Sequence, residues 1–538
     1  MAKERLFVLL GFTALAIIAY RNCFGIFIPG DNYSLFYLFE KGGIQEAINN
    51  IGPLYFSIPL LFFTYKLIGV SPFLWVMLSL LLHIANSFFV YLLAEKSTSA
   101  LIGKKMNSAA IFAGLLFLVS PYQTETILWI PTNLTISIAT FLCLVCLLLL
   151  LDYLRSGQRS TLFFLLIMFA LSVFSYESAF VLPVISLLVF ILYKAHCTTG
   201  VSLQQFAIRL LLPQTGILLL YLSISKMLFG AWLWHGENFE LSFSIMALAG
   251  NFLKYLAKFF LLYRYLPVDS LDGYLRQAFS THSNWILLFT LIGFIFLISF
   301  AVFILKTKNV QGKFLLLLFL CFAVSLLPVL SLDSSFLKNI YPDRYGYLPS
   351  VFFFLFFVYA VFFLLKKFSV PVLIGYFALS LVLLSKTNDV WSSDNEYCGQ
   401  LTQNYKPFLP YDRVYILNVP TYYKGVAAFR SAFAETIFMR YDASPIEKIR
   451  VISGCYQESG ADSLASVSIA GNTVTVTGQK KNTPFFSTNG GWAKSYETEE
   501  YKVSFNPDGC SYTLVFKGDI PKNSAFICTS QSAWKKAL

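Results

Sequence analysis

NLTISIATFLCLVCLLLLL, residues 133 to 151, carries no charged side chain, and a helix of that length crosses a hydrocarbon core about 30 Å thick. Apolar runs of about 18 residues or more recur from Leu6 almost to Lys386 and then stop. The chain of 538 residues is 57% hydrophobic and 13% charged, with 56 Phe and 31 Tyr, which excludes an ordinary water-soluble protein. Lipid is the main solvent. The first run, Leu6 to Phe27, follows Lys3 and Arg5 as in a signal peptide, but it is too long and lacks a small-residue cleavage site. It reads as a retained helix.

The pattern predicts an all-α polytopic membrane protein of about eleven transmembrane helices, with a small α+β C-terminal exported domain. The spans fall at 6–27, 71–93, 108–120, 133–151, 161–174, 177–194, 208–228, 284–305, 314–330, 346–365 and 368–386. The third and fifth are short for a full crossing, so they are expected to be tilted, broken or buried among other helices. This divides the chain into a membrane module, 1–386, with long outside loops at 28–70 and 229–283, and an exported domain, 387–538.

A net charge of +12 could point to nucleic acid, so its distribution decides its meaning. With the N-terminus in the cytoplasm, the short basic segments all fall on the inner side: those holding Lys96, Lys104 and Lys105, then Arg155 and Arg159, Lys194 and Arg209, Lys306, Lys308 and Lys313, and Lys366 and Lys367. The charge is topological, no nucleic-acid partner is expected, and the protein is placed in the plasma or inner membrane with its C-terminal domain outside.

Within the outer loops, Gly42 to Asn50 reads as a short surface helix, followed by an apolar stretch from Tyr55 to Leu67 interrupted by Pro59. Trp232, Trp234 and Trp285 suit interface depth, and Lys254, Lys258 and Arg264 suit a helix lying along the membrane. Past Lys386, Arg413 to Asn418 alternates like a strand and Lys424 to Arg440 reads as a helix. Two hairpins follow, turning at Gly471-Asn472 and at Asn506 to Gly509.

The outer face concentrates the candidate chemistry. Asp31 follows the first span in Ile28-Pro29-Gly30-Asp31-Asn32-Tyr33, where Pro and Gly end the helix and aim a carboxylate along the surface. A carboxylate at a lipid boundary can act as a base, although a solvated loop Asp is the bland alternative. Glu125 lies in the turn after Pro121, and Glu177 in a turn so tight that its side chain sits near the outer boundary; for Glu177 a helix N-terminal role competes. Arg344, in Tyr341-Pro342-Asp343-Arg344-Tyr345, has the fork geometry that binds phosphate, with Lys254, Lys258 and Arg264 as further phosphate-binding cations; pairing with Asp343 or snorkelling to headgroups is the alternative for Arg344. Tyr33 and Tyr345 flank these positions. Asp31 and Glu125 could also share magnesium or manganese, the divalent cations that carboxylates suit. Of nine cysteines, Cys398, Cys455, Cys510 and Cys528 fall outside, where four allow three pairings and Cys510 with Cys528 is favoured; no CxxC or Cys/His cluster suggests zinc.

Asp31 after the first span, Tyr55 to Asn86 with Pro59, Gly69, His83 and Asn86, the Pro121 to Trp129 turn, Ser175 to Pro183, and Asp343 to Pro349 follow one another in an order that resembles the GT-C superfamily, membrane glycosyltransferases that use polyprenyl-phosphate-linked sugars. The chain most resembles the protein O-mannosyltransferase-like branch in its bacterial form, and Val414 to Arg430 looks like the segment after the spans in related proteins. The resemblance implies a glycosyltransferase, inverting if displacement is single, with Asp31 as the first-loop catalytic carboxylate, Glu125 as the second acidic residue and Arg344 on the donor phosphate. The implied partners are a polyprenyl-phosphate-sugar donor, an exported glycan, lipid or protein acceptor, and membrane lipids. The chain departs from the branch where Asn32 follows Asp31, where Ile58 precedes Pro59, and in lacking tetratricopeptide repeats. A transporter or lipid flippase, or a non-catalytic assembly protein, are the alternatives; against the first, no halves repeat and the candidate charges gather on one side.

Overall fold

A computed structural model describes residues 2–26, 30–197, 199–233, 244–262, 309–331, 343–423, 426–430, 432–441, 446–457, 465–478, 485–487, 495–506, 509–530 and 533–537. Among these, six helices are long and apolar enough to cross a membrane, or seven if one bent pair counts as a span. About eleven were expected. Part of the difference is arithmetic: the last candidate, Asp343–Phe408, covers two helices that pack on each other across a reversal at Lys366, where φ is +44°. The expected span 284–305 lies outside the described residues.

The helices are α1 (Ala2–Ala19), α2 (Asn32–Ile51), α3 (Ser57–Ile68), α4 (Pro72–Leu101), α5 (Asn107–Val119), α6 (Thr124–Leu128), α7 (Leu134–Ser156), α8 (Arg159–Val173) and α9 (Leu182–His196). Then come α10 (Leu203–Phe229), α11 (Ile245–Leu261), α12 (Val310–Leu330), α13 (Tyr347–Leu365), α14 (Ser369–Gln403) and α15 (Phe433–Tyr441). The opening stretch becomes α7, uninterrupted by Gly or Pro and ended by Gly157, whose φ of +66° is the left-handed cap a side chain would strain.

Of the two short spans, the third is broken as its length leads one to expect. α8 has 15 residues, and α5 ends where Ser120, extended ahead of Pro121, turns the chain by 51° into α6. The turn from Ser120 to Pro131, expected at the outer surface, is buried throughout. α14 covers it, packing on α5, on the 3-10 turn Pro121–Gln123 and on α6.

α14 crosses the boundary expected at 386. The helix runs unbroken through 386 to Gln403, because Trp391, Asp394, Cys398 and Leu401 recur at helical spacing and are all buried. The change of composition at Lys386 marks the end of the apolar run, and the packed helix continues past it. The surface helix expected at 42–50 is the second half of α2, which is kinked at Gly42 and Gly43.

Beyond α14, β1 (Arg413–Tyr423) is central to a seven-stranded mixed sheet. It runs parallel to β3 (Ile449–Val451), β4 (Gly454–Gln457) and β11 (Ser524–Ser530). β2 (Val426–Ala427) pairs antiparallel with its end, β7 (Phe485–Phe486) with β4, and β12 (Ala533–Lys536) with β11. Parallel neighbours explain why β1 is buried on both faces. Tyr415 and Leu417 face a core shared with an antiparallel sheet of β5 (Ala465–Ala470), β6 (Thr473–Gly478), β10 (Ser511–Phe516), β9 (Tyr501–Phe505) and β8 (Ser495–Glu497), whereas Val414, Ile416 and Val419 join the core of the helical module. Both expected hairpins pair antiparallel, β5 with β6 across Gly471-Asn472 and β9 with β10.

Two local expectations fail. The helix read across 424–440 is confined to α15, because the chain first forms β2. The Cys510–Cys528 disulfide is absent: Cys528 is a free thiol whose Sγ lies 3.7 Å from the Lys535 carbonyl within the seven-stranded sheet, while Cys510 adjoins the other sheet.

Candidate functional site

Four chain segments far apart in sequence meet where the C-terminal domain closes on the helices. Gly30 and Asp31 arrive before α2, the Pro121–Trp129 turn lies beneath, Arg344 precedes α13, and Arg430 follows β2. The Gly30 amide hydrogen-bonds to the Ala428 carbonyl, joining the first segment to the last. Gly30 has φ +67°, and a Cβ there would stand 2.6 Å from Trp129 Nε1, so glycine is required by both backbone and space.

Asp31 is ion-paired. Its Oδ1 accepts the Trp129 indole N–H at 2.9 Å and its Oδ2 accepts from the Arg430 guanidinium at 3.0 Å. Arg430 is half-buried and holds φ at +48°, a conformation that costs a non-glycine residue roughly 1–3 kcal/mol. Burial alone would lower the Arg430 pKa, but the facing Tyr422 and Asp31 oxygens turn the net shift upward and keep the cation charged.

Glu125 and Arg344 form the second pair. The guanidinium donates to Glu125 Oε1 at 2.6 Å, the Arg344 backbone N–H donates to Oε2 at 2.9 Å, and a second guanidinium nitrogen reaches the Tyr345 hydroxyl at 3.3 Å. The alternative partner for Arg344, Asp343, is taken elsewhere. The Arg344 and Arg430 guanidinium carbons lie 4.6 Å and 4.9 Å from the Trp129 ring centroid, so one indole carries two cations. Asn32, which follows Asp31, fixes the far end of the turn by accepting from the Thr132 N–H at 3.0 Å.

The other candidates separate. Lys258 donates to Asp343 at 2.9 Å, with both side chains almost wholly buried, so α11 packs against protein there and this cation is not offered to a ligand. Phe259, next on α11, stacks on Phe353 of α13 at 5.0 Å, so this face of the helix read as lying along the membrane is covered by protein. The Lys254 side chain and all of Arg264 lie outside the described residues, as do Trp234 and Trp285. Glu177 accepts the Tyr221 hydroxyl at 3.0 Å, tying the start of the α9 span to α10. Tyr33 is buried against Arg440. Thus Asp31, Glu125, Arg344 and Tyr345 come together, and Arg430 and Trp129 complete the cluster.

A metal shared by Asp31 and Glu125 would need carboxylate oxygens facing one point. As placed, each carboxylate faces a guanidinium, and no three His, Cys, Asp or Glu converge among the described residues.

What the cluster offers is two arginine forks over an aromatic floor, at a junction where Asp31 and Arg430 remain partly open to solvent, which is the donor geometry for a phosphate or another oxyanion.

No family model matches the chain, and no curated protein matches it. Among solved structures it is similar to the archaeal oligosaccharyltransferase AglB from Archaeoglobus fulgidus in complex with an inhibitory peptide and a dolichol-phosphate, at 12% identity and a TM-score of 0.41, over 82% of this chain and 64% of that one. A structure of the Archaeoglobus fulgidus oligosaccharyltransferase tethered to an acceptor peptide through a disulfide bond gives 13% identity, the same TM-score and the same coverage. The chain therefore spans less than two thirds of the length of these neighbours, and a likeness of this size assigns no activity.

Proposed function

We propose that the chain is a membrane glycosyltransferase of the GT-C kind that moves one sugar from a polyprenyl-phosphate donor to a hydroxyl of an exported glycan, lipid or protein, on the outer side of the plasma or inner membrane. The observation that carries this reading is the pairing of Arg344 and Arg430 over Trp129 at the rim of an apolar helical bundle. A lipid-linked phosphate needs such a place: cations at the boundary for the headgroup and hydrocarbon beside it for the chain.

In this reading the two arginines hold the donor phosphate and receive its charge as the sugar leaves. Glu125 and Asp31 keep the arginines aimed while the site is empty and release them in part when phosphate enters. The proton of the acceptor hydroxyl passes to a carboxylate of the site, and single displacement inverts the anomeric centre. The order of motifs from Asp31 to Pro349, and the positive-inside distribution that puts them outside, support the same assignment.

The test is transfer of tritiated sugar from polyprenyl-phosphate glucose and polyprenyl-phosphate mannose in proteoliposomes containing the full chain and acceptor-bearing membrane extract. The wild type should transfer from one of them. Arg344→Gln should lose about 10²–10³-fold in transfer, as removal of a charge-stabilising group does. No transfer from either donor, or full activity of Arg344→Gln, would defeat the proposal.

A further inference from the structure

One more carboxylate stands at this junction, and no local motif marks it. Glu435 lies in the first turn of α15, which packs on α2, with Tyr37 and Phe438 edge to face at 5.4 Å. Its carboxylate accepts hydrogen bonds from the Ser34 hydroxyl and from its own backbone N–H, and Asp31 lies within electrostatic reach. Its Oε2 is shielded from solvent and has no hydrogen-bond partner among the described residues. Helix N-terminal stabilisation accounts for the partnered oxygen, but not for keeping the second one dry, where an unmet acceptor is costly.

The two neighbouring carboxylates therefore have opposite surroundings. Asp31 has both oxygens occupied by Trp129 and Arg430, so neither is turned towards a substrate hydroxyl. Burial raises the Glu435 pKa from the ordinary glutamate value; the backbone and Ser34 hydrogen bonds oppose this and the Asp31 charge adds to it. One oxygen of Glu435 is thus left without a partner among the described residues, where both oxygens of Asp31 are engaged.

We infer that Glu435, supplied by the C-terminal domain, is the base that takes the proton from the acceptor hydroxyl, and that Asp31 is a positioning residue that holds Arg430. This rests on the glycosyltransferase reading. In the step, the acceptor oxygen forms a bond to the anomeric carbon, and the bond from that carbon to the phosphate oxygen breaks. Its electron pair leaves with the polyprenyl phosphate, and the hydroxyl proton goes to Glu435 Oε2, which later returns it to water.

Steady-state transfer by the full chain in proteoliposomes, with whichever of the two polyprenyl-phosphate hexoses the wild type consumes, tests it. Glu435→Gln should lower kcat by about 10²–10⁴-fold with donor KM unchanged, and Glu435→Asp should fall between it and wild type. Sodium azide, a nucleophile with no proton to remove, should restore donor consumption by Glu435→Gln and yield the glycosyl azide. Asp31→Asn should instead raise donor KM, without azide rescue. Near-wild-type kcat in Glu435→Gln beside an inactive Arg344→Gln would overturn the assignment and leave the glycosyltransferase reading standing. Loss in Glu435→Gln with a lowered Tm, raised donor KM and no azide rescue would mark a structural role and overturn it equally. If the wild type consumes neither donor, both readings fall together.

Discussion

Two ion pairs of nearly equal length sit near one end of the molecule and do different things. Lys258 and Asp343 meet at 2.9 Å with side chains 4% and 1% exposed, between α11 and the 3-10 turn ahead of α13. Arg430 and Asp31 meet at 3.0 Å with side chains 22% and 31% exposed, between the module and the C-terminal domain, and the pair needs a strained arginine and an obligatory glycine. Distance does not separate them; surroundings do. A buried pair with no room beside it is part of the packing, and a half-open pair held at a conformational cost is poised to exchange partners.

The largest stability effect is expected at the buried pair. Lys258→Ala leaves Asp343 short of its charge partner and should cost about 3–5 kcal/mol, read as a fall in Tm in detergent; Lys258→Met with Asp343→Leu should recover most of it. If the single variant is as stable as wild type, the pair is not part of the packing and the contrast fails. Gly30→Ala should cost less, about 1–3 kcal/mol, from its φ and the clash with Trp129, and transfer should fall with it. Arg430→Ala should change stability least, by about 1 kcal/mol or less for a pair this exposed, while removing most transfer. A large loss of stability there would make the open pair a second structural clasp.

Much of the helical module is written in local pattern. Charge-free runs such as 133–151 give the spans, Pro121 gives the break after α5, and Gly471-Asn472 gives its hairpin, because each depends on residues a few positions apart. Asp31, Glu125 and Arg344 were legible as candidates because ionisable groups at membrane boundaries stand out against apolar surroundings. Their pairing was not. Arg430 reaches Asp31 across 399 positions, and it lies in a stretch that reads locally as a helix. Glu435 is hidden for the same reason, in the first turn of a short helix whose role comes from docking on α2. Lys258 shows the reverse error: a cation in an outer loop looks available to phosphate until Asp343, 85 residues on, is seen to occupy it. The end of hydropathy at Lys386 likewise marks the end of the apolar run, not of α14.

Everything functional rests on the two guanidinium groups over Trp129 being a seat for a lipid-linked phosphate. Native mass spectrometry of the purified full chain with polyprenyl phosphate measures that directly. Wild-type protein should bind one polyprenyl phosphate in preference to an uncharged polyprenol, and the double variant Arg344→Gln, Arg430→Gln, still folded by its Tm, should lose that preference. Equal retention of polyprenyl phosphate by the folded double variant would contradict the account.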